Sequence, residues 1–108
     1  MATGRDILDR VVQNMNDHPE RVKDMTGRIR FDLSGEGGGS YLIRIADGAA
    51  TLAEATEGDA AQATISMTAP DLDALVGGTL SGMQAFMAGR IRVGGDIGLA
   101  MRLESLLH

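Results

Sequence analysis

The 108-residue chain has no cysteine, so disulfide and thiol chemistry are excluded. Aromatic residues are scarce at 3%: Phe31, Tyr41 and Phe86. No apolar run reaches the roughly 18 residues that read as a membrane-spanning helix. The opening Met1-Ala2-Thr3-Gly4-Arg5-Asp6 shows no apolar signal segment. The closing Ser105-Leu106-Leu107-His108 is not a peroxisomal Ser-Lys-Leu tail. A cytoplasmic protein is the default expectation. Positive charge is also short: the net charge is −5. Nucleic-acid affinity comes from neutralising phosphates with Lys and Arg, so no nucleic-acid partner is expected.

What is present fits one domain over residues 1–108 with a core of its own. Hydrophobic residues are 44% and charged residues 23%, as in ordinary globular proteins. Methionine is over-used, with Met15, Met25, Met67, Met83, Met87 and Met101 all internal. Such a core is deformable, because Met fills irregular space and rearranges cheaply.

Along the chain, Arg5 to Asn16 has helical periodicity, with Ile7, Val11 and Met15 on one stripe and Leu8 and Val12 beside it. His18-Pro19 ends it. Pro19 to Met25 allows a further turn or two, with proline first. From Gly27 the period changes to two. Ile29, Phe31 and Leu33 alternate with Arg28, Arg30 and Asp32. A glycine-rich turn from Ser34 to Ser40 leads to a second strand with Tyr41, Ile43 and Ile45 inward. Asp47-Gly48 predicts a hairpin into a third strand, Ala49 to Glu54, with Ala50 and Leu52 inward. After a small-residue acidic loop comes a fourth strand, Ala63 to Met67, with Ile65 and Met67 inward.

Thr68-Ala69-Pro70-Asp71 predicts a capping box. The helix behind it carries Leu72, Leu75 and Val76, and Gly77-Gly78 stop it. A second short helix, about Leu80 to Ala88, carries Met83, Phe86 and Met87. Arg90 to Val93 reads as a fifth strand, with Ile91 and Val93 on one side and the arginines on the other. Gly94-Gly95 is a sharp break, and Asp96 an N-cap. In the last helix Ile97, Ala100, Leu103 and Leu107 share a face that Leu99 and Leu106 widen, as suits a helix packed on two sides. The expected fold is α+β: a five-stranded, mostly antiparallel sheet with helices on one face.

Catalytic readings find little support. The glycines at 35–39 lead into a strand, whereas a phosphate loop must open a helix, so they predict a mobile hairpin tip. The histidines, His18 and His108, are near no serine in a recognisable context, and no Gly-x-Ser-x-Gly exists. Asp71 and Asp73 point to different sides of their helix, and capping and solvation suffice for them. Glu54, Glu57 and Asp59 lack the spacing of a calcium loop. Neither metal, cofactor nor catalytic residue is expected. Arg90 and Arg92 are candidates for a lipid carboxylate or an anionic membrane surface, against a merely solvated strand face. Gln84, polar in an apolar segment, is a candidate for a headgroup contact at a site mouth, against plain helix-surface solvation.

The run Ala85-Phe86-Met87-Ala88-Gly89-Arg90-Ile91-Arg92-Val93-Gly94-Gly95-Asp96-Ile97-Gly98-Leu99-Ala100-Met101-Arg102-Leu103 resembles the signature of the sterol carrier protein type two family, the non-specific lipid-transfer proteins. Members show a helix with Ala-Phe, a Gly, a basic–apolar–basic–apolar strand, a Gly-Asp or Gly-Asn turn, and Gly-Leu-Ala-Met-Lys-Leu. The likeness persists more thinly through Arg28 to Leu107; the first helix matches only in kind.

The resemblance implies a non-catalytic carrier that holds one apolar lipid in a tunnel between sheet and helices. Ligands of similar proteins include fatty acids, acyl-CoA, sterols and phospholipids. It implies ligand contact from Phe31, Ile43, Ile65, Met67, Ile91 and Val93 on the sheet. Facing them would be Leu75, Met83, Phe86 and Met87, with Leu99, Ala100 and Leu103 on the last helix. A fully packed core is the alternative for each of these. Transient membrane contact would go with transfer. A second reading makes the chain an interaction or substrate-delivery module for a lipid- or isoprenoid-metabolising partner enzyme. An internal channel favours the carrier; a packed core with an exposed apolar patch favours the module.

Overall fold

Period-two alternation in the middle of the chain produces a sheet with one oily face. The computed structural model describes residues 3–56, 58 and 60–107. Helix α1 (Gly4–Asp17) and a 3₁₀ turn (Pro19–Arg21) precede strands β1 (Gly27–Ser34), β2 (Gly39–Ala46), β3 (Ala49–Glu54) and β4 (Ala63–Thr68). Helices α2 (Ala69–Val76) and α3 (Gly82–Met87), strand β5 (Arg92–Gly95) and helix α4 (Ile97–Glu104) follow. The strands lie in the order β3-β2-β1-β4-β5. Every neighbouring pair is antiparallel except β1 and β4. The α+β expectation of five strands in a mostly antiparallel sheet therefore holds.

Register puts the apolar residues on one side. Ile29 faces Ile43 across β1–β2, while Phe31 and Leu33 lie beside Ile65 and Met67 across the parallel pair. All six are buried. The other side is polar, with Arg28 opposite Arg44 and Ser66 opposite Arg92.

Helix α1 covers the β3–β2 end of the oily side and touches α2. Its start is fixed by a capping box: Asp6 N donates to Thr3 Oγ1 at 3.3 Å, and Thr3 N to Asp6 Oδ2 at 3.0 Å. The Thr3 backbone N–H, then its hydroxyl, lower the Asp6 pKa from its ordinary value. At its other end Asn16 bonds both backbone groups of Ala50, donating from Nδ2 at 2.9 Å and accepting at Oδ1 at 2.8 Å. A side chain thus completes hydrogen bonding on edge strand β3.

The hairpin tip expected to be mobile is tethered, since Gly4 N donates to Gly37 O at 2.7 Å. The last strand also differs from its expected span. Pairing places it at Arg92–Gly95 rather than Arg90–Val93, with Gly95 opposite Ala63. Gly94-Gly95 is therefore the end of a strand, and the chain breaks after it. At Gly95 φ is +77°, and an added Cβ would lie 2.3 Å from Gln62 O. Only glycine permits that pairing. Asp96 then caps α4 as expected, accepting from Leu99 N at 3.0 Å.

Candidate functional site

The far end of the sheet, over β4 and β5, is covered differently. Helix α2 begins at Thr68, whose hydroxyl accepts from Asp71 N at 3.1 Å, and buries Leu72 and Leu75. Only half of the predicted capping box forms. The Asp71 carboxylate does not return to the cap; it holds the Arg90 guanidinium through both oxygens, with Nε donating to Oδ2 at 3.4 Å. Hydrogen bonding to Asp71, then its charge, raises the Arg90 pKa. Capping and solvation thus do not account for Asp71. Nor is Arg90 on the wet side of a strand, because it precedes β5 and ties the α3–β5 link to α2. Arg92 does lie on the exposed outer side.

Helix α3 is a short amphipathic segment laid over this end. Ser81 caps it, accepting from Gln84 N at 3.4 Å. Gly82 and Ala85 are buried, but Met83, Phe86 and Met87 are 67%, 51% and 80% exposed. Across from it, α4 turns Ile97, Ala100, Met101 and Glu104 toward the same space; Ile97 and Met101 are more than half exposed.

Between α3 and α4, over Ile65 and Met67, lies a partly open cavity of about 400 Å³. That volume falls in the range of about 300–1,000 Å³ typical of small-ligand sites. Leu75, Ile91, Val93 and Leu107 complete the wall. Among the described residues, Glu104 is its only polar or charged side chain. Gly82 makes room for it, since an added Cβ there would lie 2.2 Å from Glu104 Oε1.

Of the residues expected at the ligand, Ile65, Met67, Leu75, Met83, Phe86, Met87, Ile91, Val93 and Ala100 line this cavity. Phe31, Ile43, Leu99 and Leu103 do not. Phe31, Ile43 and Leu103 are fully buried core residues. Leu99 packs toward β1, where a Cβ added to Gly27 would meet its Cδ2 at 2.9 Å. Alternation predicts which residues point inward; it does not say which inward residues lie under a filled core. The cavity also takes Gly82, Ile97, Met101, Glu104 and Leu107, which were not among the expected contacts. Positions 97, 100, 101 and 104 follow the i, i+3, i+4, i+7 rule of a helix face. The signal was present, and the charge of Glu104 hid it. Gln84 is exposed and outside the cavity wall.

His18 is exposed beside Glu20, and Glu54 pairs with Arg5. Glu57, Asp59 and His108 lie outside the described residues. Among the described residues no cluster of His, Cys, Asp or Glu has the makings of a metal site. No helix among them is long and apolar enough to cross a membrane.

The SCP-2 sterol transfer family model matches residues 6–108, and so takes in α1 as well as the C-terminal signature. The chain belongs to this family. It is 33% identical over 89 residues to hydroxysteroid dehydrogenase-like protein 2 of Danio rerio, covering 82% of this chain and 21% of that protein. The chain thus spans about a fifth (21%) of the length of that relative. The solution structure of sterol carrier protein domain 2 of Helicoverpa armigera superposes with a TM-score of 0.77 at 24% identity, covering 93% of this chain and 81% of that one. Palmitated SCP2L2 from Aedes aegypti superposes with a TM-score of 0.74 at 19% identity, covering 94% and 91%. These likenesses establish the SCP-2 fold, a five-stranded sheet with helices.

Proposed function

We propose that the chain is a non-catalytic lipid carrier, binding one long-chain lipid in the cavity between α3, α4 and the β4–β5 end of the sheet. The observation that carries this reading is the wall itself: about 400 Å³ bounded by fourteen described residues, of which Glu104 alone is polar. A chain of ~15 methylenes gains about 0.8 kcal/mol per CH₂ on leaving water, roughly 12 kcal/mol before ordering costs. Methionines at 67, 83, 87 and 101 let the wall adapt to chains of different shape. Membership of a sterol transfer family and the palmitate on the Aedes aegypti protein point the same way. The exposed rim of Met83, Phe86, Met87, Ile97 and Met101 is the surface through which a lipid would enter, and it suits transient contact with a bilayer.

Native mass spectrometry of the purified chain tests this. Carriage predicts adducts with the mass of a single lipid, removable by solvent extraction and restored by adding a long-chain lipid. A chain that neither carries a lipid nor takes one up from several lipid classes is not a carrier.

One observation favours a delivery module as second reading: the matched stretch is only 21% of the Danio rerio dehydrogenase-like protein. Such a module would move lipid between vesicles only when its partner enzyme is present, whereas a free carrier moves it alone.

A further inference from the structure

Among the described residues, every one in the wall but Glu104 is apolar, and none is Lys, Arg or His. Cations near in sequence point elsewhere: Arg90 is bound to Asp71, while Arg92 and Arg102 are exposed and outside the wall. Among the described residues the Glu104 carboxylate has no hydrogen-bond or ion-pair partner, and the residue is partly buried with its oxygens still reached by solvent. It can do only one thing for a ligand when ionised, which is accept a hydrogen bond.

Resting on the lipid reading above, we propose that Glu104 sets headgroup selectivity. The cavity takes lipids whose polar end donates a hydrogen bond, a long-chain or sterol-type hydroxyl, and disfavours the free carboxylate of the same chain. A hydroxyl placed beside Glu104 supplies the missing donor, and the charge-assisted bond is of the stronger kind. A fatty-acid anion there meets a like charge in an apolar wall, with no cation among its described residues to offset it. Its acid group must stay in the open mouth, which withdraws methylenes from the cavity. Gly82 is part of the device, because its missing side chain is what leaves the carboxylate space along the wall.

The test compares 1-tetradecanol with myristate, each below its aggregation limit, by displacement of a fluorescent lipid probe. The proteins are wild type, Glu104→Gln, Glu104→Lys and the control Glu36→Gln, which makes the same change of net charge at an exposed hairpin residue. Wild type and control are expected to bind the alcohol at least about tenfold more tightly than the acid, a difference of about 1.4 kcal/mol. Glu104→Gln should bring that ratio close to one by recovering the acid, and Glu104→Lys should invert it. A ratio unchanged by Glu104→Gln, or moved as much by Glu36→Gln, overturns the selectivity role while leaving the carrier reading intact. Failure of wild type to bind either lipid overturns both.

Discussion

The Asp71 carboxylate, in the first turn of α2, grips the Arg90 guanidinium in the link between α3 and β5. The Asp71 side chain is 13% exposed and that of Arg90 52%. This pair fixes α3, one wall of the cavity, against α2. Arg90→Met leaves a nearly buried carboxylate without a partner and is expected to lower stability, modestly because Arg90 is half in water. Asp71→Asn should cost less, since the amide keeps some hydrogen bonding. Denaturant unfolding of both single variants and the double variant measures the coupling. Strict additivity would show that the pair contributes nothing to the placement of α3.

Ala100 and Leu103, neighbours on α4, are expected to respond in opposite ways. Leu103 is fully buried in the core, so Leu103→Asp strands a carboxylate there and should leave no cooperative thermal transition. Ala100 lines the cavity, so Ala100→Phe has free volume to enter and should fold with a near-normal melting midpoint. In a filled core the same enlargement costs about 1–3 kcal/mol or more. Added lipid at a hundredfold excess over Kd should stabilise wild type by about 2.7 kcal/mol, raising the midpoint by roughly 10–20 °C. That rise should shrink in Ala100→Phe. Melting curves with and without lipid decide it; a badly destabilised Ala100→Phe would mean that the space is already filled.

Asp32 gives the fold an acid-labile contact on the polar side of the sheet. Burial works against its ionisation, but hydrogen bonds from Arg30 at 2.9 Å and Ser40 at 2.8 Å, with the Arg30 charge, outweigh it and lower its pKa from the ordinary value of 3.8. A carboxylate whose pKa falls on folding adds stability above its unfolded pKa and loses it as the pH drops through the folded one. Stability should therefore decline below about pH 4. Asp32→Asn should lower stability at pH 7 and make the acid decline shallower. Chemical denaturation at pH 7 and at about pH 3 checks this; parallel curves for the two proteins would assign the acid sensitivity to other carboxylates.

Much of this protein was legible in one dimension. The period-two runs gave the strands because half-buried β structure writes its two faces directly into alternation. Asp47-Gly48 fixed a hairpin and Asp96 a helix start because those devices act over a few residues. The ordered run from Ala85 to Leu103 carried the family. The Thr68 cap is legible in the sequence, whereas the partner of the Asp71 carboxylate is not. No local rule says that an arginine nineteen residues on will claim it.

Only the tertiary structure decided which inward residues face a cavity. Phe31 and Ile65 follow the same alternation and sit side by side across β1 and β4. Phe31 lies in the filled core and Ile65 lines open space. The difference is lateral position in the sheet. The order β3-β2-β1-β4-β5 brings α1 over one end and leaves the other to α2, α4 and the six-residue α3, which leave a space between them. Likewise Glu104 reads as a solvated helix residue until α3 arrives with a glycine, rather than a side chain, against its carboxylate. Side-chain pattern specifies faces because burial is a local, periodic property. A cavity is where two elements distant in sequence fail to fill the space between them, and that failure exists only once both are in place.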